Sequence, residues 1–163
     1  MCVLSQVLFA LTLVTALGCG LSAGVFFAFS SFVMKALGRL PPAQGLAAMQ
    51  AINVAAIGPA FMAALFGPAV ACSALAVAAL FELDEQFAGW LIGGSALYLV
   101  GTIGLTIAYH VPRNEALAAV PPAGAEAAGH WTRYLADWTA WNHVRACAAL
   151  GAAALLTVAL QAG

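Results

Sequence analysis

Apolar residues run almost unbroken through residues 1–34, 40–81, 86–112 and 146–163, and every Lys, Arg, Asp and Glu falls between or beside these stretches. Each stretch can hold the roughly 18–20 residues that a helix needs to cross the hydrocarbon layer of a bilayer. The pattern therefore predicts an all-α fold, a bundle of four transmembrane helices with short loops, as one domain over residues 1–163. The first run lacks a basic residue ahead of its apolar stretch and continues past Phe32, so it reads as a retained span rather than a cleaved leader.

The first helix, over residues 4–34, would be about 46 Å long at 1.5 Å per residue, more than the roughly 30 Å layer requires. It carries Gly20 and Gly24, a small-residue pair suited to close helix packing, followed by Phe26, Phe27, Phe29 and Phe32. A second helix is expected from Ala43 through Phe81, kinked at Gly58-Pro59 and Gly67-Pro68, because proline removes a donor and frees carbonyls that need partners inside the membrane. The third, over residues 87–110, bears Ser95, Tyr98, Thr102, Thr106 and His110 at spacings of three or four. Those positions share a face, and that face should turn into the bundle. The fourth helix should begin near Ala125 and extend well to the cytoplasmic side before its apolar run, with Trp138, Trp141, Asn142 and Arg145 along one stripe.

Composition sharpens this picture. Hydrophobic residues make up 64% of the chain and charged ones 7%, with mean hydropathy +1.01, which excludes a water-soluble globule. Five Lys+Arg against six Asp+Glu leave no basic field for nucleic acid. Lys35, Arg39, Arg113, Arg133 and Arg145 occupy or border the first and third connections, whereas the second, Glu82-Leu83-Asp84-Glu85, is acidic. The positive-inside bias then places both termini outside a bacterial-type cell membrane. The four cysteines, Cys2, Cys19, Cys72 and Cys147, have no metal-ligand spacing and read as small apolar side chains.

Topology brings Lys35, Asn53, His110, Asn114, Asn142, His143 and Arg145 to the cytoplasmic ends of the helices, and ionisable groups at membrane depth point to function. Arg145 has no acid one turn away, since Asp137 is better placed to pair with Arg133. The spans lack the glutamates of a carboxylate-bridged di-iron bundle and the intramembrane acid of a proton-coupled transporter. No metal site is expected. His110 and His143 leave open a haem held by two histidines, and the same mouth would also suit a non-catalytic protein that binds a small apolar ligand or partner.

Four segments, Gly24-Val25-Phe26-Phe27-Ala28-Phe29, Met49-Gln50-Ala51-Ile52-Asn53, Val111-Pro112-Arg113-Asn114-Glu115-Ala116-Leu117 and Trp138-Thr139-Ala140-Trp141-Asn142-His143-Val144-Arg145, resemble the DUF1772 family of small membrane proteins, also called anthrone oxygenase-like. The resemblance spans roughly residues 20–160. It departs at His110 and Gly58, where relatives often have Asn. It implies oxidation of an anthrone-type phenolic substrate by O₂ without a cofactor. His143 or His110 would be the base, and Arg145 with Asn142, Asn53 and Asn114 would hold the enolate and reduced oxygen. Trp138 and Trp141 would stack on the rings of a small aromatic substrate.

Overall fold

The computed structural model describes residues 3–81 and 85–162 and is all-helical. Helix α1 covers residues 3–38 and is continuous, with a π-helical turn at Phe29–Val33 between α-helical Val3–Ala28 and Met34–Gly38. Short α2 (Pro42–Ala55) is followed by α3 (Pro59–Phe81). Helix α4 covers residues 85–118; it is π-helical over Leu97–Gly104 and Thr106–His110 and ends as α-helix at Val111–Ala118. Helix α5 is the long Ala127–Ala162. Four of these helices, α1, α3, α4 and α5, are long and apolar enough to cross a membrane. Residues 82–84 of the acidic connection, and Cys2, lie outside the described residues.

The expected second helix is two. Pro59 cannot donate to Ala55, and the chain turns there instead, with Ile57 N–H bonded to the Val54 carbonyl and Gly58 N–H to that of Ala55. The span starts only at Pro59, while α2 folds across the end of the bundle against α5, the end of α1 and the end of α4. Pro68 stays inside α3. Its missing N–H would have reached Ala64, and the Ser22 hydroxyl donates to that carbonyl at 3.3 Å. Tyr98 donates to the neighbouring Leu65 carbonyl at 2.9 Å, and its oxygen lies 2.8 Å from that of Ser22, whose single proton is divided between Tyr98 and Ala64. The sequence expectation that proline-freed carbonyls find partners is met by α1 and α4. Helix α4 also runs through Pro112 to Ala118, further than its predicted end at His110.

In the bundle, α1 packs against α3 and α5, and α4 against the same two. Small side chains set the approach. A Cβ on Gly18 would lie 2.5 Å from Cγ of Pro68, and one on Gly101 would lie 2.6 Å from Cβ of Ala148, so α1–α3 and α4–α5 touch where only glycine fits. The expected pair contributes less: Gly20 comes no closer than 4.0 Å to Ala153, and Gly24 faces open space. Two apolar cores result. One, containing Cys19, Phe26, Leu65, Cys72, Leu75, Tyr98 and Leu156, fills the bundle; the other, containing Met34, Leu46, Met49, Leu117, Trp131, Tyr134 and Trp138, lies under α2. Cys19 and Cys72 are buried, and Cys147 is exposed.

Candidate functional site

A cavity of about 150 Å³ lies where the two cores meet, between α1, α2, α3, α4 and α5. Its walls are largely apolar, with Phe26, Phe29, Met49, Ile52, Phe61, Met62 and Leu65; its polar groups are Asn53, Thr106, His110, Asn114 and Arg145, with Trp138 between them.

Helix α4 delivers its share through its π-helical turns. A strict spacing of four drifts about 40° per step around an α-helix of 3.6 residues per turn, so Tyr98, Thr102, Thr106 and His110 would fan out over about 120°. The wider i→i+5 turn removes much of that drift. All four point inward: Tyr98, Thr102 and His110 are buried and Thr106 is half-buried. The stripe read from the sequence is real, and the helix form that keeps it straight is the part its periodicity did not disclose.

Arg145 is 6% exposed, and among the described residues it has no carboxylate within ion-pair distance. Instead its Nε and Nη2 donate to Asn142 Oδ1 at 3.2 and 2.6 Å, and Nη1 donates to Thr106 Oγ1 at 3.1 Å. The guanidinium carbon lies 3.8 Å over the Phe26 ring centroid and 5.5 Å from that of Trp138. Such cation–π contacts are worth about 0.5–2 kcal/mol each, more when desolvated. The three hydrogen bonds leave two of the five guanidinium N–H groups for the cavity.

Asn142 is fully buried and does not line the cavity. Its Nδ2 donates to the Phe26 carbonyl and to Ser30 Oγ, both at 2.7 Å, beside and within the π-helical turn of α1. With its oxygen turned to Arg145, it ties α1 to the guanidinium. Asn142 is therefore a positioning residue, placed behind the site rather than in it.

His110 is 1% exposed; neither ring nitrogen closes a regular hydrogen bond, and the backbone of Trp141 is the polar group in reach of the ring. Its ring meets Trp138 edge-on, with centroids 5.0 Å apart. Asn114 Oδ1 accepts from Tyr134 Oη at 2.7 Å and from Trp138 Nε1 at 3.1 Å, which fixes the indole as a wall. Asn53 Nδ2 is buried near the Tyr134 hydroxyl without closing a regular hydrogen bond.

Two further expected site residues, besides Asn142, lie outside the cavity. His143 is exposed on the opposite flank of α5, in a groove with Ser31, Lys35, Arg39 and Thr139. Two residues before Arg145, it lies about 200° away around an α-helix. His143 is thus no candidate base for this cavity, and it cannot share a haem there with His110. Trp141 is 43% exposed and packs against Tyr109 with the rings tilted by 39° and their centroids 4.8 Å apart, outside the cavity; Tyr109 also carries Arg113, whose guanidinium lies 3.3 Å from the ring centroid. The expected Arg133–Asp137 pair does not form; among the described residues the contact between a basic and an acidic side chain is His130 Nε2 to Glu126 Oε2 at 3.6 Å. Conversely, Thr106, Phe26 and Ser30 matter more than their residue types announced. Thr106 was visible on the polar stripe, whereas the Phe26 carbonyl carries no sequence signal.

A family model described as anthrone oxygenase matches residues 59–155, more than half of the chain. The chain belongs to the anthrone oxygenase family. The match covers α3, α4 and most of α5, and with them His110, Asn114, Trp138, Asn142 and Arg145; α1 and α2, which bring Phe26 and Asn53, lie before it. No curated protein and no solved structure matches this anthrone oxygenase family member. Among its described residues no group of three or more His, Cys, Asp or Glu is placed to hold a metal ion.

Proposed function

We propose that the cavity is the active site of an oxygenase that converts the ring methylene of an anthrone-type phenol to a ketone with O₂. One observation carries the reading. A buried guanidinium without a counter-ion and a buried imidazole without a regular hydrogen bond border the same apolar cavity. Each is costly to leave unmatched in a low-dielectric interior, and an aromatic enolate would satisfy both, its flat ring against Trp138 and its oxygen on the unengaged N–H groups of Arg145.

In the proposed reaction His110 takes a proton from the methylene carbon, and Arg145 stabilises the enolate that forms. The enolate is the reductant: it passes one electron to O₂, and the carbon radical and superoxide combine to form a C–O bond. The peroxide regains the proton from His110. Loss of the second C–H proton with cleavage of the O–O bond gives the ketone, so that CH₂ and O₂ become C=O and H₂O. Asn53 and Asn114 border the same space and orient the substrate, and the α2 end of the bundle faces the cytoplasm of a cell membrane.

The test is oxygen uptake and product formation by the purified protein supplied with anthrone. Turnover that falls by about 10²-fold or more in Arg145→Ala and His110→Phe supports the assignment. Retention of anthrone without O₂ consumption by the wild-type protein overturns it in favour of a non-catalytic binding protein.

A further inference from the structure

Of the side chains that line the cavity, Ile57 and Val111 are exposed, by 72% and 41%. They stand on opposite elements. Ile57 sits in the turn between α2 and α3, where Pro59 interrupts the helix, and Val111 sits on α4 just beyond its second π-helical stretch. Both therefore lie on the rim of the cavity, where the break between α2 and α3 stands beside α4. The surrounding surface is apolar as well, with Val54 and Ile107 exposed by 73% and 57%. Val111 and Ile107 belong to a helix long and apolar enough to cross a membrane, and Pro59 begins another. Val111 and Ile107 are thus apolar side chains exposed on a spanning helix, and Ile57 adjoins them at the edge where a span begins, the depth at which amphipathic aromatic groups settle in a bilayer.

We infer that the cavity opens sideways into the bilayer between Ile57 and Val111, and that its substrate is a membrane-dissolved polycyclic phenol of which one ring enters while the others remain in the portal and the lipid. The size of the cavity requires the second half of this statement. About 150 Å³ is the volume of a cavity that holds benzene, too small for three fused rings. The reacting ring reaches Arg145 and His110 at the polar end; the remaining rings pass between Ile57 and Val111. The groups that recognise the substrate then read one ring, and the far end of the molecule is chosen by its solubility in lipid. This inference rests on the proposed binding role of the cavity but not on its chemistry.

The experiment measures anaerobic binding of phenol and of anthrone to the protein in lipid nanodiscs. Ile57→Trp narrows the portal, and Val144→Trp, on a part of α5 that is exposed and does not line the cavity, is the control. The expected result is that Ile57→Trp lowers the ratio of anthrone to phenol affinity by about tenfold, a change of about 1.4 kcal/mol, while Val144→Trp leaves the ratio as it was. In the same nanodiscs, a fluorine on the anthrone ring farthest from the reacting carbon should be broadened by lipids carrying a nitroxide in the acyl chain and not by a water-soluble nitroxide. An unchanged ratio in Ile57→Trp, or broadening by the aqueous agent alone, overturns the lateral portal while leaving the binding site intact. Absence of anthrone binding by the wild-type protein overturns the site itself and the portal with it.

Discussion

Replacing Asn142 with Leu keeps nearly the same volume and removes four hydrogen bonds at once. Two of them, to the Phe26 carbonyl and Ser30, are between neutral groups, and such bonds inside a membrane average about 0.6 kcal/mol each. The other two come from the Arg145 guanidinium, and bonds to a charged group contribute about 1.5–3 kcal/mol. Because both share one acceptor oxygen, they count nearer one strong interaction than two, and the total is about 3 kcal/mol. For a chain of this size that corresponds to a fall in Tm of about 6–12 °C, read by near-UV circular dichroism of the detergent-solubilised protein during heating. A second comparison removes ambiguity. In Asn142→Leu the charge of Arg145 is stranded, whereas in the double variant with Arg145→Met no buried charge is left unmatched. The double variant should therefore be more stable than Asn142→Leu alone. A drop under about 2 °C for the single variant, or a double variant that is the less stable of the two, refutes the claim that Asn142 exists to hold the guanidinium.

Three further outcomes follow from the same contacts. His110→Phe should leave Tm within about 2 °C of the wild type, since no regular hydrogen bond is lost, while anthrone turnover falls by about 10²–10⁴-fold; parallel melting and oxygen-uptake measurements show whether the two effects separate. His143→Ala should retain full turnover, and loss of activity in that correctly inserted variant would restore the histidine that the fold removes from the site. Gly18→Val should destabilise by about 1–3 kcal/mol, because even the first added carbon falls 2.5 Å from the Pro68 ring, which has no flexible end to yield; thermal melting of the variant beside Gly20→Ala, where 4.0 Å is available, tests the contrast.

Much of the architecture was legible because the bilayer leaves so few options. Uncharged runs of the right length must become spans, and the Ser95 to His110 stripe must turn inward, since hydroxyls and imidazole have no partners in lipid. Proline chemistry was readable to the level of need but not of outcome: Pro59 and Pro68 both lack a donor, yet one ends a helix and the other is held within it by Ser22 and Tyr98, and that difference depends on neighbours in space. The candidate site was legible by residue and misread by direction. Arg145 and His110 meet at a cavity as expected, but His143 and Trp141, adjacent in sequence to Asn142, point away because successive residues on a helix are about 100° apart. A segment such as Trp141-Asn142-His143 names three polar or aromatic groups and can aim only one of them inward. Which one depends on the rotation of α5, set by the glycine and alanine contacts of its apolar half with α4 and α1.

The widened turns of α4 make the aim of His110 a matter of pitch. Were the coil to keep all its residues but tighten to its ordinary pitch, His110 would turn about 120° around the axis from Tyr98. The rod would keep its hydrophobic length and its place in the membrane, yet the imidazole would swing out of its chamber. The alignment of His110 with the cavity is thus stored in the pitch of one helix, which composition, hydropathy and span length all fail to register.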